Sequence, residues 1–226
     1  MKNSSFGDTL GAARWDMIRL KARRQTPKML KRYVSQNGAL PTNLHLGCGT
    51  RKVDGWLNCD ISGSDINIDL ACGDLPFPNS VFEAVCSQHV IEHLRIRTEL
   101  EPLLLELSRC IKPGGEIWLS CPDIYKVCKN YMHDKGASMV SDRYGRWPNS
   151  EALDYPDSMV VNWIFFQDGQ HKNLLDADLL SFILIKAGFT NIRLTSEKEF
   201  LDRFPAFPSR NDDFISLYMM AEKASG

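Results

Sequence analysis

Residues 44–50 read Leu-His-Leu-Gly-Cys-Gly-Thr, an apolar run that stops on glycines at 47 and 49. Such a run reads as a buried strand. Glycines at its carboxyl end let the backbone turn sharply and approach a ligand, where open α/β sheets bind cofactors. A tight turn that holds no ligand would use the same glycines, so the segment by itself speaks for the fold. Downstream the pattern continues, with apolar runs at Leu57 to Cys59, Ile66 to Ile68, Val81 to Cys86 and Glu116 to Ser120 separated by helix-like stretches. That alternation predicts parallel strands with crossover connections. Strand signals at Asn191 to Leu194 and Ser216 to Ala221 complete the set. The expected fold is α/β: a Rossmann-like, mostly parallel seven-stranded sheet with helices on both faces and an antiparallel C-terminal strand pair.

Two crossover helices are legible. Leu100, Leu103, Leu104, Leu107 and Ile111 share one helical face, with Thr98 and Glu101 spaced as a capping box and Pro102 in the first turn. Lys112-Pro113-Gly114-Gly115 then reads as the turn into the next strand. Between Asp176 and Ala187, Leu179, Leu180, Ile183, Leu184 and Ala187 point inward, and Gly188 stops the helix. The stretch between, about residues 123–173, is weakly periodic and rich in Tyr, Trp, Asp and Pro, as expected of an insertion or lid. Tyr125, Tyr131, Tyr144, Trp147, Tyr155, Trp163, Phe165 and Phe166 would stack on a ring-bearing acceptor or form a satellite core.

The 226 residues suit one α/β domain with a full core, and 43% hydrophobic with 24% charged residues excludes disordered and fibrous classes. No apolar run approaches the roughly 20 residues that cross a bilayer. The start lacks a secretory signal, and seven cysteines without CxxC spacing suit reduced thiols, so the expected compartment is the cytoplasm and no metal site is expected. Charge is uneven: residues 1–40 hold nine Lys or Arg against two Asp, a net of +7, leaving −8 on the remainder. Residues 1–40 thus read as a basic helical segment ahead of a domain at 41–226. Leu10, Ala13, Met17 and Leu20 predict one amphipathic helix. Thr26-Pro27 with Met29, Leu30, Tyr33 and Val34 predicts a second. These cations would pack on the acidic body, or meet a phosphate or a membrane surface. The acidic body argues against nucleic acid as the substrate.

Asp60, just past the second strand, stands where a carboxylate accepts hydrogen bonds from both hydroxyls of a ribose. A dinucleotide fingerprint wants a third glycine, a helix N-terminus for the pyrophosphate and an acid about 20 residues on. Gly49 and Asp60 are too close in sequence for that helix. The expected ligand therefore carries adenosine without phosphates.

These residues resemble the class I S-adenosylmethionine-dependent methyltransferases, of the small type reading LNLGCG, Gly-Trp-x-Asn-x-Asp, LPF and V-x-E-H-L. The counterparts are LHLGCGT, Gly55-Trp56-Leu57-Asn58-Cys59-Asp60, Asp69-Leu70 ahead of Leu75-Pro76-Phe77, Val90-Ile91-Glu92-His93-Leu94 and Ile111-Lys112-Pro113-Gly114-Gly115. The resemblance implies S-adenosylmethionine as cofactor. Gly47, Cys48 and Gly49 would pass its methionine portion and ribose, and Asp60, with Ile61 beside it, would hold the ribose. Asp69 and Leu70 would flank the adenine, and Gln88 and His89 would border the methyl-transfer side. The family often has a longer first crossover helix than residues 50–54 allow.

Methyl transfer to a hydroxyl needs a base as the bond forms. His89, His133 and His171 are the candidates, with His89 and His171 favoured by position. His45, inside the first strand, reads as a hydrogen-bonded core residue. The expected function is methyl transfer to a small or glycan-like acceptor, at oxygen. The alternatives are a non-catalytic protein that keeps the cofactor pocket, and a zinc hydrolase built on His89-Val90-Ile91-Glu92-His93, which matches the H-x-x-E-H pattern of inverted zinc peptidases. That pattern needs a well-formed helix and a third ligand, and here it starts shortly after the strand Val81 to Cys86 and coincides with the methyltransferase-like stretch.

Overall fold

A computed structural model describes residues 4–146 and 155–225. All seven expected strands are present: β1 (Asn43–Leu46), β2 (Leu57–Asp60), β3 (Ile66–Asn67), β4 (Phe82–Gln88), β5 (Ile111–Pro122), β6 (Phe189–Thr195) and β7 (Ser216–Lys223). They form one sheet in the order β3-β2-β1-β4-β5-β7-β6. β1 to β5 are parallel, and β7 is antiparallel to both β5 and β6. The chain moves outward from β1 to β3, then crosses back to lay β4 on the other side of β1. The carboxyl ends of β1 and β4 therefore flank the switch point where open α/β sheets hold ligands.

Period-two alternation buries both faces of the sheet. On one, Val85, Ile117, Leu119, Leu217 and Met219 join Leu103, Leu104 and Leu107 of α2 (Glu101–Cys110) and Leu180, Ile183 and Leu184 of α6 (Ala177–Lys186). On the other, Ala84, Cys86, Trp118 and Tyr218 meet Val53, Trp56, Phe200, Phe204 and Phe207. Phe200 belongs to α7 (Glu197–Arg203), a helix not expected from the sequence although Ser196 caps it by accepting from the Glu199 amide. Trp56 stands edge-on to Phe204 and Phe207, with ring centroids 5.1 and 4.9 Å away. Residues 47–56 form no crossover helix, and this aromatic cluster covers the face such a helix would cover.

The N-terminal segment differs from expectation. It is one helix, α1 (Ser4–Asn37), with Pro27 inside it, where two were expected. Thr26 does not cap a second helix. Its single hydroxyl proton is shared between Ala22 O (2.9 Å) and Asn67 O (2.6 Å), binding the helix to β3 across the break that proline makes in the backbone ladder. Met17 and Leu20, expected on an inward face, are exposed; Ala22 and Thr26 are buried, and Met29, Leu30 and Tyr33 pack against the core. The side chains of Leu10 and Ala13 lie outside the described residues.

Ahead of α2, Ile96–Leu100 forms a wide π turn, and Glu99 rather than Thr98 closes it, accepting from the Arg95 amide at 2.8 Å. β5 contains the expected Lys112-Pro113-Gly114-Gly115 turn as an excursion: its pairing with β4 jumps from Ile111 opposite Phe82 to Glu116 opposite Ala84. The weakly periodic region holds α3 (Ile124–Asp134), α4 (Ala137–Arg146) and α5 (Met159–Phe166). Val127, Met139, Val160, Ile164 and Ile215 make a satellite core there, with Phe165 against it, while Tyr125, Tyr131, Tyr155 and Phe166 are exposed. Trp147 and the side chain of Tyr144 lie outside the described residues. All seven cysteines are free, five of them buried. Among the described residues no helix is long and apolar enough to cross a membrane.

Candidate active site at the switch point

After β1 the backbone enters the left-handed region at Gly47 (φ +66°) and again at Gly49 (φ +53°). The amides of Gly47 and Cys48 both donate to Cys59 O, at 2.8 and 3.2 Å, which ties the turn to β2. A Cβ on Gly47 would lie 2.0 Å from Cγ2 of Val90, the residue that follows β4 by two, whereas one on Gly49 would meet nothing within 4 Å. Gly47 thus lets the ends of β1 and β4 approach, and Gly49 faces open space.

Asp60, the last residue of β2, is oriented by two backbone amides. Gly49 N donates to Oδ2 at 2.8 Å and Ile61 N to Oδ1 at 2.6 Å. Each carboxylate oxygen keeps a lone pair. A half-buried, preoriented carboxylate beside a bare glycine turn fits the ribose end of an adenosine ligand.

Asp69 follows β3 and is buried, with Oδ1 accepting from the Ala71 amide at 3.2 Å as the cap of a short turn at Leu70–Cys72. Its Oδ2 is held by Arg19 Nε at 3.0 Å and by Arg23 at 2.8 Å. Burial pushes the Asp69 carboxyl up, and the two arginines outweigh it and hold the group below its ordinary value. The carboxylate is therefore engaged by α1, and Leu70, the other residue of the expected adenine-side pair, is buried at the edge of the core.

Gln88, the last residue of β4, is buried and shares a small recess with Trp118, Ser120, Phe200 and Tyr218. His89 comes next with φ +56°, its amide donating to Ser120 O at 2.8 Å. Its Nε2 lies 2.7 Å from Asp212 Oδ2, and its Nδ1 lies 3.4 Å from Glu92 Oε1. Burial would lower the His89 pKa, but the bonds to Asp212 and Glu92 prevail and raise it. A ring whose two nitrogens both serve carboxylates has no lone pair to take a substrate proton. Both ring nitrogens of His89 thus face carboxylates, an arrangement that holds the ring in place and favours its protonated form over the free base expected from the sequence.

Asp212 organises this corner and had no signal in the sequence. It is 123 residues from His89, and it also accepts from Tyr218 Oη (2.6 Å) and Arg210 Nε (3.2 Å). Burial pushes its carboxyl up, yet His89, Tyr218 and Arg210 hold it well below the ordinary carboxylate range. Glu197 at the start of α7 gathers the same loop, accepting from the amides of Arg210, Asn211 (2.9 Å) and Asp212 (3.2 Å).

His171 lies on the other side. The chain at 170–173 is clamped to the turn after β4: the amides of Lys172 and Asn173 reach Glu92 O at 2.8 and 3.3 Å, and Asn173 Nδ2 reaches Ile91 O and Leu94 O at 2.9 and 2.6 Å. His171 Nδ1 donates to Ile164 O at 2.5 Å, leaving Nε2 with a lone pair. Burial, as the leading cause, lowers its pKa and keeps the ring neutral. His133, in α3, is exposed and far from this clamp in sequence.

The H-x-x-E-H segment does not form the helix a zinc peptidase uses. His89 has a positive φ, and only Ile91–His93 coil, as a single 3-10 turn.

A family profile described as "Methyltransferase domain" matches residues 44–119, which contain the glycine turn, Asp60, Asp69 and the turn after β4. Among solved structures the chain is similar to the CMeT domain of a citrinin polyketide synthase (14% identity, 84% of this chain and 48% of that one, TM-score 0.47). It is also similar to Haemonchus contortus phosphoethanolamine N-methyltransferase 2 with S-adenosyl-L-methionine (17%, 89% and 52%, TM-score 0.44). A third is an S-adenosylmethionine-dependent methyltransferase from Archaeoglobus fulgidus (17%, 91% and 94%, TM-score 0.47). The chain spans about half the length of the first two. No curated protein matches it.

Proposed function

We propose that this chain, whose residues 44–119 match a methyltransferase-domain profile, is a class I methyltransferase that moves the methyl group of S-adenosylmethionine to the hydroxyl of a small or glycan-like acceptor, in the cytoplasm. The observation that carries this reading is the Asp60 carboxylate, held by the amides of Gly49 and Ile61 beside an open glycine turn at the sheet's switch point.

The cofactor supplies a methyl group on a charged sulfur with a good leaving group. The chain's residues then have three tasks. Asp60 binds the ribose hydroxyls, with Gly47, Cys48, Gly49 and Ile61 giving backbone around it and Leu70 an apolar wall beside the adenine. Gln88 and His89 border the reacting side, where the Asp212–His89–Glu92 network fixes the wall against which an acceptor is aligned, since alignment and water exclusion carry most of such a reaction. His171, neutral and with a free Nε2, is the proton acceptor of the pair expected from the sequence.

The exposed aromatic rings of Tyr125, Tyr131 and Tyr155 favour a ring-bearing or sugar acceptor. Lys21, Arg24 and Lys28 on the outer side of α1 favour peripheral contact with an anionic surface. The test is calorimetric titration with S-adenosylmethionine and its demethylated product, followed by an acceptor panel with methyl-labelled cofactor. Binding of both, no competition by NAD and label transfer to an oxygen support the reading. Tight NAD binding overturns it, and cofactor binding with no transfer to any acceptor leaves the non-catalytic alternative in its place.

A further inference from the structure

The geometry points to a divalent transition-metal site formed by Glu92, His93 and His171, at the carboxyl edge of the sheet beside the cofactor crevice. One ligand atom from each of the three residues can be chosen so that all lie within 4.8 Å of one another. The tautomers suit the purpose. His93 Nδ1 donates to Gln170 O at 3.2 Å and His171 Nδ1 to Ile164 O at 2.5 Å, so both rings keep the distal Nε2 as a lone-pair donor. A backbone carbonyl on the far nitrogen is the arrangement that fixes the orientation of metal-binding histidines. The rings are already together, with centroids 4.8 Å apart at 75°.

Glu92 supplies the independent sign of a missing ligand. It is 3% exposed, its Oε1 faces His89, and its Oε2 is buried with no hydrogen-bond partner. Leaving a buried carboxylate oxygen unpaired costs free energy. A cation between Glu92 and the two imidazoles removes that cost.

Two imidazoles and a carboxylate select zinc, cobalt, manganese or iron over magnesium, which prefers oxygen ligands and water. With metal–ligand bonds of about 2.0–2.1 Å, tetrahedral ligand atoms stand roughly 3.4 Å apart, against the 4.8 Å within which the three groups lie here. Three protein ligands leave a position for water or an acceptor oxygen. Bound metal would occupy the same Nε2 lone pair that would make His171 a base, so His171 would hold the metal and would not take up a proton in the loaded protein. The site itself does not depend on the methyl-transfer reading, and binding is measured without cofactor or acceptor.

The test is titration of the metal-stripped full chain with Co2+ followed by its visible ligand-field bands, with Zn2+ competition and metal analysis after dialysis. The variants are His93→Asn and His171→Asn, whose amide nitrogen can still donate to Gln170 O and Ile164 O while the distal nitrogen is gone, together with Glu92→Gln. His133→Ala controls for exposed histidines. One metal per chain, a zinc-induced rise in melting temperature, and at least tenfold weaker binding in all three site variants but not in His133→Ala support the site. No saturable binding at micromolar cobalt, equal binding by the His93 and His171 variants in chains that keep their circular dichroism, or displacement of cobalt by millimolar magnesium overturns it.

Discussion

The amide of Gly49 lies 2.8 Å from Oδ2 of Asp60, and the amide of Ile61 lies 2.6 Å from Oδ1 of the same carboxylate. The acid is thus aimed before any ligand arrives, and its remaining lone pairs are those a ribose would use. Asp60→Asn keeps the size of the side chain, removes its charge and sets an amide NH2 against one of those backbone donors. Charge-assisted hydrogen bonds contribute about 1.5–3 kcal/mol each, so the dissociation constant for S-adenosylhomocysteine should rise about 10- to 100-fold. Calorimetry reads this directly, and an unchanged constant would remove Asp60 from the site.

The two glycines of the turn should separate stability from binding. Both have positive φ, which costs an alanine about 1–2 kcal/mol, but only Gly47 faces an obstacle, Val90 Cγ2 at 2.0 Å. Gly47→Ala should lose about 2–4 kcal/mol in urea unfolding once overpacking is added. Gly49→Ala should lose only the backbone part yet weaken cofactor binding, since its new methyl group enters the open side. Equal losses of stability in the two variants would contradict the close approach of β1 and β4.

What the sequence makes legible follows from how local each cause is. Leu44, Leu46, Leu57 and Ile66 are apolar because their strands are buried, so all seven strands could be read. Gly47 and Gly49 declare positive φ by having no side chain, and Asp60 stands beside them across one strand pair. The rest depends on distant partners. Thr26-Pro27 carries the local marks of a helix start, yet the helix runs through because Asn67, 41 residues on, accepts the Thr26 hydroxyl. His89 looks like a free base until Asp212 is folded against it, and Glu92-His93 gains a third companion only when residues 170–173 clamp onto the turn after β4.

Arg19 and Arg23 should control the docking of α1. Asp69 is buried while the arginine side chains are 30% and 47% exposed, so the pairing is worth less than a fully buried one. Replacing both by alanine should cost on the order of 1–2 kcal/mol, seen as roughly tenfold faster amide hydrogen exchange across residues 14–37. The folded Asp69 pKa lies below its ordinary value, so the pairing is complete above the usual carboxylate range and weakens as pH falls through it. Unaltered exchange in the double variant would mean that Thr26 and the apolar contacts hold the helix alone.

His45 should make the core itself sensitive to acid. Its ring is 3% exposed, packs edge-on to Phe207 with centroids 4.8 Å apart, and shares a 3.2 Å hydrogen bond with Asn58 Oδ1. Burial, only partly offset by Asn58, lowers its pKa from 6.5 to about 4. Between those values the unfolded chain binds a proton that the folded chain refuses. Stability is therefore whole above pH 6.5 and declines as pH drops to about 4, by about 3 kcal/mol from this group at 1.36 kcal/mol per unit. His45→Asn can keep a donor for Asn58 but loses the ring contact and the titration. It should start about 1–2 kcal/mol below the parent at pH 7.5, as expected for a shortened core side chain, and lose less on acidification, so the two urea-unfolding curves converge by pH 4.5. Curves that stay parallel over that range would show that His45 is protonated without penalty and that the sheet beneath the glycine turn is open to solvent.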